Sequence, residues 1–387
     1  MTGARPIDLA IVGGGLAGSL IALALRARRP ELRVVVIEEA ARAGGNQLWS
    51  CFAEDVASAD RWLIEPLIVH GWGGYDVRFP GQVRRLPSSY ATLTSERLGM
   101  RLHRAMPEGD LLFDRAATAL TPHSVTLADG RVIEARGVID ARGPGDMSAL
   151  ELGYQKFVGA SWLCHTPHGL AEPIIMDATV DQQDGYRFVY TLPLSPTELF
   201  IEDTYYADGP TLDEPVLAAR IAAYAQAQRW EGAARGHSET GVLPVCMGGD
   251  FARLWEAESP GVAKAGLRGG FFHALTGYSL PDAVRNALAI AAMDDLSGPA
   301  LHQAMRARGA AHWRGQAYYR MLSRLLFRAA EPQERWRVLA RFYRLDPSLI
   351  ARFYAGQSTL FDKLRVLTGK PPVPVSRAIS ALGATRG

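Results

Sequence analysis

The sequence has few cysteines and no long uninterrupted apolar run. Its three cysteines, Cys51, Cys164 and Cys246, are odd in number and far apart, which gives neither a disulfide framework nor the spacing of a metal site. We therefore expect no metal and a reducing compartment. The longest stretch without charge, residues 9–25, is interrupted by three consecutive glycines and preceded by Asp8. We expect neither a signal peptide nor a transmembrane segment.

A large net charge is also absent, but the charges are unevenly distributed. The chain has 42 lysines and arginines against 40 aspartates and glutamates, whereas residues 301–387 hold 16 against 4, together with ten aromatic residues. Arg320, Arg324 and Arg328 recur every four residues beside an apolar face, which is typical of a basic amphipathic helix. Such helices suit an anionic membrane surface, although each one taken alone is more simply a packed helix with solvated arginines. No nucleic-acid-binding module accompanies the charge, so we expect no nucleic-acid partner.

The strongest local motif is a glycine loop near the start of the chain. An apolar strand at residues 9–12 is followed by Gly13, Gly15 and Gly18, by a helical pattern, and by a second strand that ends at Glu38. In such a loop the first glycine permits a tight turn, the second lets backbone amides approach a pyrophosphate, and the third allows close helix packing. Glu38 can accept hydrogen bonds from ribose hydroxyls. These elements in register predict a dinucleotide site.

Later segments indicate which dinucleotide is bound. The segment RAGGNQLWS (42–50) follows the second strand, and a Gly-rich, Pro-bearing segment near residue 270 precedes an Ala-rich helix. This arrangement resembles the FAD proteins of the glutathione reductase and hydroxylase type, in which a late helix N-terminus lies along the flavin. The resemblance implies FAD, with Arg42, Gly45, Gly277, Tyr278 and Ser279 among its contacts. The usual Gly-Asp of the late motif is replaced by glycines at 269 and 270.

Between the cofactor segments, residues 185–192 and 199–206 form two strand-like runs joined by a Pro-bearing loop. We predict a β-hairpin. Because side chains alternate between the faces of a strand, Glu202 and Asp203 point to opposite sides. We favour the register in which the numbers of paired residues sum to an even value, since Glu202 then shares a face with Tyr186, Phe188 and Tyr190.

Several segments together resemble the bacterial lycopene beta-cyclases of carotenoid biosynthesis. The resemblance runs from the glycine loop to the last fifteen residues, and its segments are GYQKFVG (153–159), MDATVDQ (176–182), GYRFVYTLP (185–193), FIEDT (200–204), FFHALTGYSLP (271–281), RFYRLDPSLIARFYAG (341–356) and GKPPVPV (369–375). Within them, HALTG differs from the HPTTG of the family at Ala274 and Leu275. The chain is thus identified as a member of this family.

The resemblance implies an activity and a set of roles. Members close the acyclic ends of lycopene into beta-ionone rings, giving gamma-carotene and then beta-carotene, with reduced FAD, with NAD(P)H as reductant and with no net redox change. Glu202 takes the position of the acid. We place Asp203 with it in the catalytic site, in a pairing role that positions Glu202. The rings of Tyr186, Phe188 and Tyr190 would stabilise the cation through their faces.

Alternatives to this assignment remain open at this point. Glu202 could be a buried carboxylate paired with a cation, for instance Arg187. His273 and Glu239 are weaker candidates, for proton handling and for bracing the hairpin or lining the flavin pocket. For the whole protein the alternatives are an FAD-dependent hydroxylase or prenyl-chain reductase, or a non-catalytic prenyl-binding protein.

The expected architecture is an α/β fold with a Rossmann-type FAD-binding domain, an interleaved β-sheet substrate domain and C-terminal helices. The predicted borders are 1–85, 86–160 and 259–300 for the FAD-binding parts, 161–258 for the substrate sheet and 301–387 for the basic helical module. Since a forty-carbon polyene is insoluble in water, we expect a cytoplasmic protein attached peripherally to the inner membrane through this module. The sequence leaves the oligomeric state open.

Overall fold

The structure is a computed structural model that describes residues 5–183, 185–369 and 373–383. The first and last predicted borders and the middle of the GKPPVPV segment lie outside these residues. The strands in chain order are β1 (Leu9–Val12), β2 (Val34–Ile37), β3 (Leu48–Phe52), β4 (Ile68–Trp72), β5 (Tyr75–Phe79), β6 (Gln82–Leu86), β7 (Tyr90–Thr94), β8 (Leu111–Leu112), β9 (Ala117–Thr121), β10 (Ser124–Leu127), β11 (Val132–Glu134), β12 (Gly137–Asp140), β13 (Leu150–Cys164), β14 (Ile174–Asp177), β15 (Tyr186–Ser195), β16 (Glu198–Ala207), β17 (Gly232–Gly249) and β18 (Ala263–Lys264).

Most of the helices lie in the C-terminal part of the chain, after the last strand. In chain order they are α1 (Leu16–Arg28), α2 (Ser95–Ala105), α3 (Glu214–Ala227), α4 (Phe251–Glu256), α5 (Leu280–Ala291), α6 (Gly298–Gly315), α7 (Ala317–Arg324), α8 (Arg335–Phe342), α9 (Pro347–Tyr354), α10 (Leu360–Leu367) and α11 (Val375–Gly383). A π-helical segment, Leu325–Ala329, continues α7. The helical character of the C-terminal module agrees with the prediction.

A parallel sheet forms the first layer of the fold. Its strand order is β18-β12-β1-β2-β8, and every pairing in it is parallel. The strands β1, β2 and β12 are buried along their whole length, as expected for a sheet covered on both faces. Helices α1 and α5 pack against each other on one side, and the small antiparallel sheet β11-β10-β9 covers the other. This is the predicted Rossmann-type α/β fold.

A seven-stranded sheet forms the second layer, in the order β17-β13-β16-β15-β14-β5-β6. Its strands pair antiparallel except for β14 and β5. The chain enters this sheet with β5 and β6 and again with β13, so the predicted border at residue 161 falls inside β13. Interleaving of the two domains therefore begins earlier in the chain than the predicted borders.

The two faces of the seven-stranded sheet are covered differently. Helix α3 packs on one face, over a cluster that includes Val189, Ile201 and Tyr205. The other face meets the C-terminal helices in a larger cluster rich in aromatic side chains, among them Phe342 and Phe353. Much of the aromatic content of the C-terminal module is therefore core, and no helix in the described residues is long and apolar enough to cross a bilayer.

Candidate active site

The glycine loop has the geometry that its spacing predicts. Gly13 has a φ of +105°, and a Cβ there would lie 2.5 Å from the carbonyl oxygen of Ala141. A Cβ on Gly18 would overlap the carbonyl oxygen of Gly13, whereas one on Gly15 would meet nothing within 4 Å. The first and third glycines are thus required by protein packing, and the space beside Gly15 is open. Because Gly15 precedes α1 and no side chain caps that helix, its first amides could bind a phosphate.

The acidic residue after β2 braces this loop. Glu38 accepts a hydrogen bond from the amide of Gly14 at 2.6 Å and another from the amide of Ala40 at 2.9 Å. A ribose hydroxyl would share the same carboxylate, which has further lone pairs. Glu38 therefore has a structural role in addition to the predicted contact with a cofactor.

The predicted cofactor contacts in the segment after β2 are less enclosed by protein than the motif suggested. Arg42 and Gly45 are both exposed, and Gly45 adopts a φ of +72° with open space beside it. Its neighbour Gly44 has the tight packing instead, since a Cβ there would lie 2.3 Å from the carbonyl oxygen of Ser95. The sequence analysis missed Gly44, and the GG pair was the available signal.

The late segment reaches a cavity of about 320 Å³, here called the acid cavity. Gly277, Tyr278 and Ser279 line it directly before α5 begins. Gly277 has a φ of +72°, and a Cβ there would lie 2.9 Å from that of Leu243, so this turn needs a glycine. Gln47 and the first residues of β3, Leu48, Trp49 and Ser50, line the same cavity. Residues from both predicted cofactor segments therefore meet in one cavity.

His273 organises this turn rather than facing the cavity as a proton donor. Its Nδ1 accepts hydrogen bonds from the amides of Leu275 and Thr276, both at 3.3 Å. Burial lowers the pKa of its imidazole to about 3, so the ring is neutral. The Nδ1 side of the ring is thus satisfied by backbone amides of its own turn.

The predicted hairpin and its register are both confirmed. Strands β15 and β16 pair antiparallel, with Tyr186 opposite Tyr206 and Tyr190 opposite Glu202. The paired numbers sum to an even value, so Glu202 shares a face with the three aromatic residues. Phe188, Tyr190 and Glu202 all line the acid cavity.

Glu202 is enclosed by apolar side chains, hydroxyl groups and a second carboxyl, that of Glu239. Its side chain is buried, and its Oε1 accepts a hydrogen bond from the Thr204 hydroxyl. Burial raises the pKa of the Glu202 carboxyl to about 8, and the nearby Glu239 carboxylate adds to that rise. Among the residues lining the cavity there is no lysine or arginine. The carboxyl is therefore held protonated at neutral pH.

Asp203 lies on the other face of the sheet. Its carboxylate is fully buried and forms an ion pair with Arg187, with one oxygen 2.6 Å from Nη2. Burial raises the pKa of Asp203, and the bonds to Arg187 oppose that rise. The structure does not bring Asp203 into the acid cavity, and Arg187, the alternative partner for Glu202, pairs with Asp203 instead.

The aromatic residues of the hairpin are divided between two cavities. Tyr190 lies beside Glu202, and its hydroxyl bonds Ser50 at 2.7 Å and Tyr90 at 3.1 Å. Tyr186 lines a second cavity of about 320 Å³, here called the apolar cavity. The two cavities have four lining residues in common, Met176, Tyr206, Thr276 and Tyr354. They therefore adjoin through a common wall of hairpin, late segment and C-terminal helices.

The apolar cavity is built mainly by the C-terminal module. Its walls are almost entirely hydrocarbon and include Leu326, Val338, Leu339, Phe342, Leu345, Phe353, Val366, Leu367, Ala378 and Leu382. A space of this kind suits a long apolar chain rather than a polar substrate.

Comparison with known proteins identifies the family. The sequence profile of the family described as "Lycopene cyclase protein" matches residues 8–380. The chain belongs to the lycopene cyclase family. It is 47% identical over 371 residues to the lycopene beta-cyclase of Pseudescherichia vulneris, covering 96% of each chain, and 47% identical over 378 residues to that of Pantoea ananas, covering 98% of each.

Solved structures that resemble this lycopene cyclase family member support the same fold. A geranylgeranyl bacteriochlorophyll reductase-like protein from Thermoplasma acidophilum aligns with a TM-score of 0.62 at 11% identity, covering 98% of this chain and 99% of that one. The flavin-dependent brominase Bmp2 aligns with a TM-score of 0.60 at 15% identity, covering 91% and 94%. At such low identity these similarities establish the fold alone.

Glu239 has a more central place in this lycopene cyclase family member than the sequence analysis gave it. It is buried and lines the acid cavity with Glu202. The local sequence around Glu239, GHSETG, is polar and gives no signal of a buried carboxyl. The position of Glu239 relative to the hairpin depends on β13, which lies between β17 and the hairpin strand β16.

Proposed function

We propose that the protein is a lycopene beta-cyclase, which converts lycopene to gamma-carotene and then beta-carotene by acid-catalysed ring closure without net redox change. Relatives that bear this name are 47% identical over nearly the whole chain. The observation that carries the proposal is the neutral carboxyl of Glu202, buried on an aromatic face beside an apolar cavity.

Glu202 is proposed as the acid. Protonation of an alkene needs a carboxylic acid that is neutral when substrate arrives, and burial supplies that state. The proton would pass to the terminal double bond, and the resulting tertiary cation would be attacked by a neighbouring double bond. Phe188 and Tyr190 would face the cation and stabilise it, and the apolar walls would exclude the water that could otherwise capture it.

FAD is proposed as the cofactor, with NAD(P)H as its reductant. The open space beside Gly15, the uncapped start of α1 and the carboxylate of Glu38 fit a pyrophosphate and ribose. Gly277, Tyr278 and Ser279 would lie against the flavin; Arg42 and Gly45, both exposed, are weaker candidates. Reduced FAD would supply an electron-rich, anionic ring system beside the developing positive charge.

The protein is proposed to take lycopene from a membrane through α10 and α11. Leu360 and Phe361 on α10 are 75% and 74% exposed, and Ile379 on α11 is 66% exposed. The same two helices line the apolar cavity through Val366 and Ala378. An exposed apolar surface continuous with an apolar cavity suits a lipid-facing entrance.

The arginines of α7 contribute less to this surface than the sequence pattern suggested. Arg320 stacks on the Trp313 ring, Arg324 bonds the carbonyl of Met247, and Arg328 pairs with Glu151. Basic groups beside the exposed helices are instead Lys363 and Arg365 of α10. In this proposal the protein attaches to the inner membrane mainly by inserting the exposed apolar side chains of α10 and α11. The charges of Lys363 and Arg365 support that insertion.

This attachment is testable by flotation with anionic liposomes. We expect the double substitution of Leu360 and Phe361 by serine to reduce the lipid-bound fraction at least tenfold, because each buried apolar side chain contributes about 1.5–3 kcal/mol. Val83→Ser is the matched control, since Val83 is 73% exposed on β6. High salt should weaken wild-type binding in part. Flotation of the double variant at the wild-type level would exclude this surface, and absence of wild type from lipid at every salt concentration would exclude attachment.

The reaction itself is tested by supplying lycopene anaerobically with chemically reduced FAD. A cyclase yields a ring-containing isomer of unchanged mass. A prenyl-chain reductase would add hydrogen and raise the mass of the product. A hydroxylase deprived of dioxygen, or a binding protein, would return lycopene unaltered. Either of the last two results with folded, flavin-loaded protein would refute the proposed function.

A further inference from the structure

A row of four paired residues crosses the seven-stranded sheet in the acid cavity. Tyr190 of β15 pairs with Glu202 of β16, which pairs with Gly159 of β13, which in turn pairs with Glu239 of β17. Directly paired residues share a face, and strands lie roughly 4.8 Å apart, so the Cα atoms of Glu202 and Glu239 are about 10 Å apart. Gly159 carries no side chain, and the Phe200 ring packs against it. Both carboxyls line one cavity.

The two carboxyls have unequal partners. Glu202 accepts a hydrogen bond from a hydroxyl alone, whereas Glu239 accepts one from the amide of Leu48 at 2.6 Å and lies 3.6 Å from Nε2 of His237. Burial raises the pKa of the Glu239 carboxyl as well, but the nearby imidazole and the amide donor oppose that rise, and among the described residues no comparable donors act on Glu202. The tyrosines that line the cavity stay neutral because burial raises the pKa of each phenol; they are Tyr90, Tyr190, Tyr206, Tyr278 and Tyr354. One proton is therefore held by the pair, on Glu202.

We propose that Glu239 is the base of the reaction, which removes the proton that leaves the new ring and returns it to Glu202. This inference rests on the proposed cyclase function. Glu202 protonates C2 of the terminal double bond, which leaves a cation at C1. The electrons of the C5=C6 double bond form the C1–C6 bond and leave the cation at C5. The C6–H bond then breaks, its electrons restore C5=C6, and the proton passes to the Glu239 carboxylate.

The proposed cycle balances without an oxidant, a reductant or water. After ring closure Glu239 is protonated and Glu202 is ionised, which is the reverse of the resting state. Because Glu239 has the partners that favour its anion, transfer of the proton back to Glu202 restores the starting arrangement. The chain thus supplies both the acid and the base from two strands of one sheet, on either side of β13.

The position of the ring double bond provides a test that a purely structural role of Glu239 would not affect. A cation at C5 can lose a proton from C6, from C4 or from its methyl group, and the base decides which. We expect Glu239→Gln to slow beta-ring formation at least a hundredfold, in the range of general base catalysis, and to shift the residual product toward rings with the double bond elsewhere. Product identity by chromatography and NMR, with reduced FAD present, is the measurement.

Two further variants complete the design. Glu239→Asp keeps a carboxylate but withdraws it by one methylene, so we expect at least a tenfold loss with beta rings still dominant. The control is Glu231→Gln, an exposed glutamate next to the start of β17, which should match wild type. Beta rings at the wild-type rate from Glu239→Gln would overturn the proposal, as would a wild-type rate from Glu239→Asp if the glutamine variant does not fold. Failure of wild type to cyclise lycopene would instead refute the proposed function.

Discussion

The two faces of the seven-stranded sheet treat adjacent carboxyls in opposite ways. Asp203 faces α3 and forms an ion pair with Arg187 at 2.6 Å. The guanidinium balances the charge of this carboxylate, and the pair contributes to structure. Glu202 faces a cavity without a cation and keeps its proton. Both side chains are buried. The comparison indicates that burial alone does not give a carboxyl the state that a proton donor needs; burial away from a positive partner among the cavity residues does.

The largest expected effect follows from removing the proton of Glu202. Glu202→Gln keeps the size and neutrality of the acid but has no acidic proton, so we expect cyclisation to fall by roughly a thousandfold or more. The thermal midpoint should change little, because a neutral amide replaces a neutral acid. Rates with lycopene and reduced FAD, together with melting curves, measure both. Glu198→Gln at the start of the same strand is the control, and substantial ring closure by Glu202→Gln would remove this residue from the mechanism.

The second effect concerns stability on the other face. Asp203→Asn leaves the Arg187 guanidinium buried without a charged partner, so we expect the free energy of unfolding to fall by about 3 kcal/mol. Denaturant titration measures this loss. Replacing both residues by leucine should recover most of the stability, since a buried ion pair is often no more stabilising than apolar packing. An unfolding free energy equal to that of wild type in Asp203→Asn would contradict the comparison.

The smallest expected effects concern how activity and stability change with pH through the titration of Glu202. The Glu202 acid is present below its pKa of about 8, so kcat/KM should fall about tenfold per unit as pH rises above that value. The same raised pKa means that the folded state binds a proton more tightly than the unfolded state. The resulting stabilisation is complete below about pH 4.5, the unfolded pKa, and is lost as pH rises through about 8.

Thr204 offers a way to shift this profile. Its hydroxyl donates to Glu202 and favours the ionised form. Thr204→Val should therefore move the alkaline limb of kcat/KM to higher pH, by roughly one unit or less. If the alkaline limb of kcat/KM does not move in Thr204→Val, that limb reports the titration of a group other than Glu202.

Parts of this site could be predicted from the sequence because they depend on local periodicity. The alternation of residues 186–190 and 200–204 correctly predicts the faces of the hairpin, and the same alternation places Arg187 with Asp203 rather than Glu202. The glycine loop likewise predicts the start of α1, since its spacing follows from a tight turn and close packing.

Other parts depend on long-range contacts. The row that joins Glu202 to Glu239 requires β13 to pair with both β16 and β17, and no local pattern encodes that arrangement. The C-terminal helices show a similar limit. An amphipathic pattern indicates that one face is apolar, but it does not distinguish a face packed on protein, as in α9, from one exposed to its surroundings, as in α10.

The exposed row on α10 and α11 has a practical consequence for handling the protein. No part of the chain that the structure describes covers Leu360, Phe361 and Ile379, so in plain buffer mass action favours self-association as the concentration rises. Sedimentation in lipid-free buffer should therefore report aggregates that a mild detergent disperses. Preparations that are equally pure can then differ in specific activity according to the amphiphile that accompanies them.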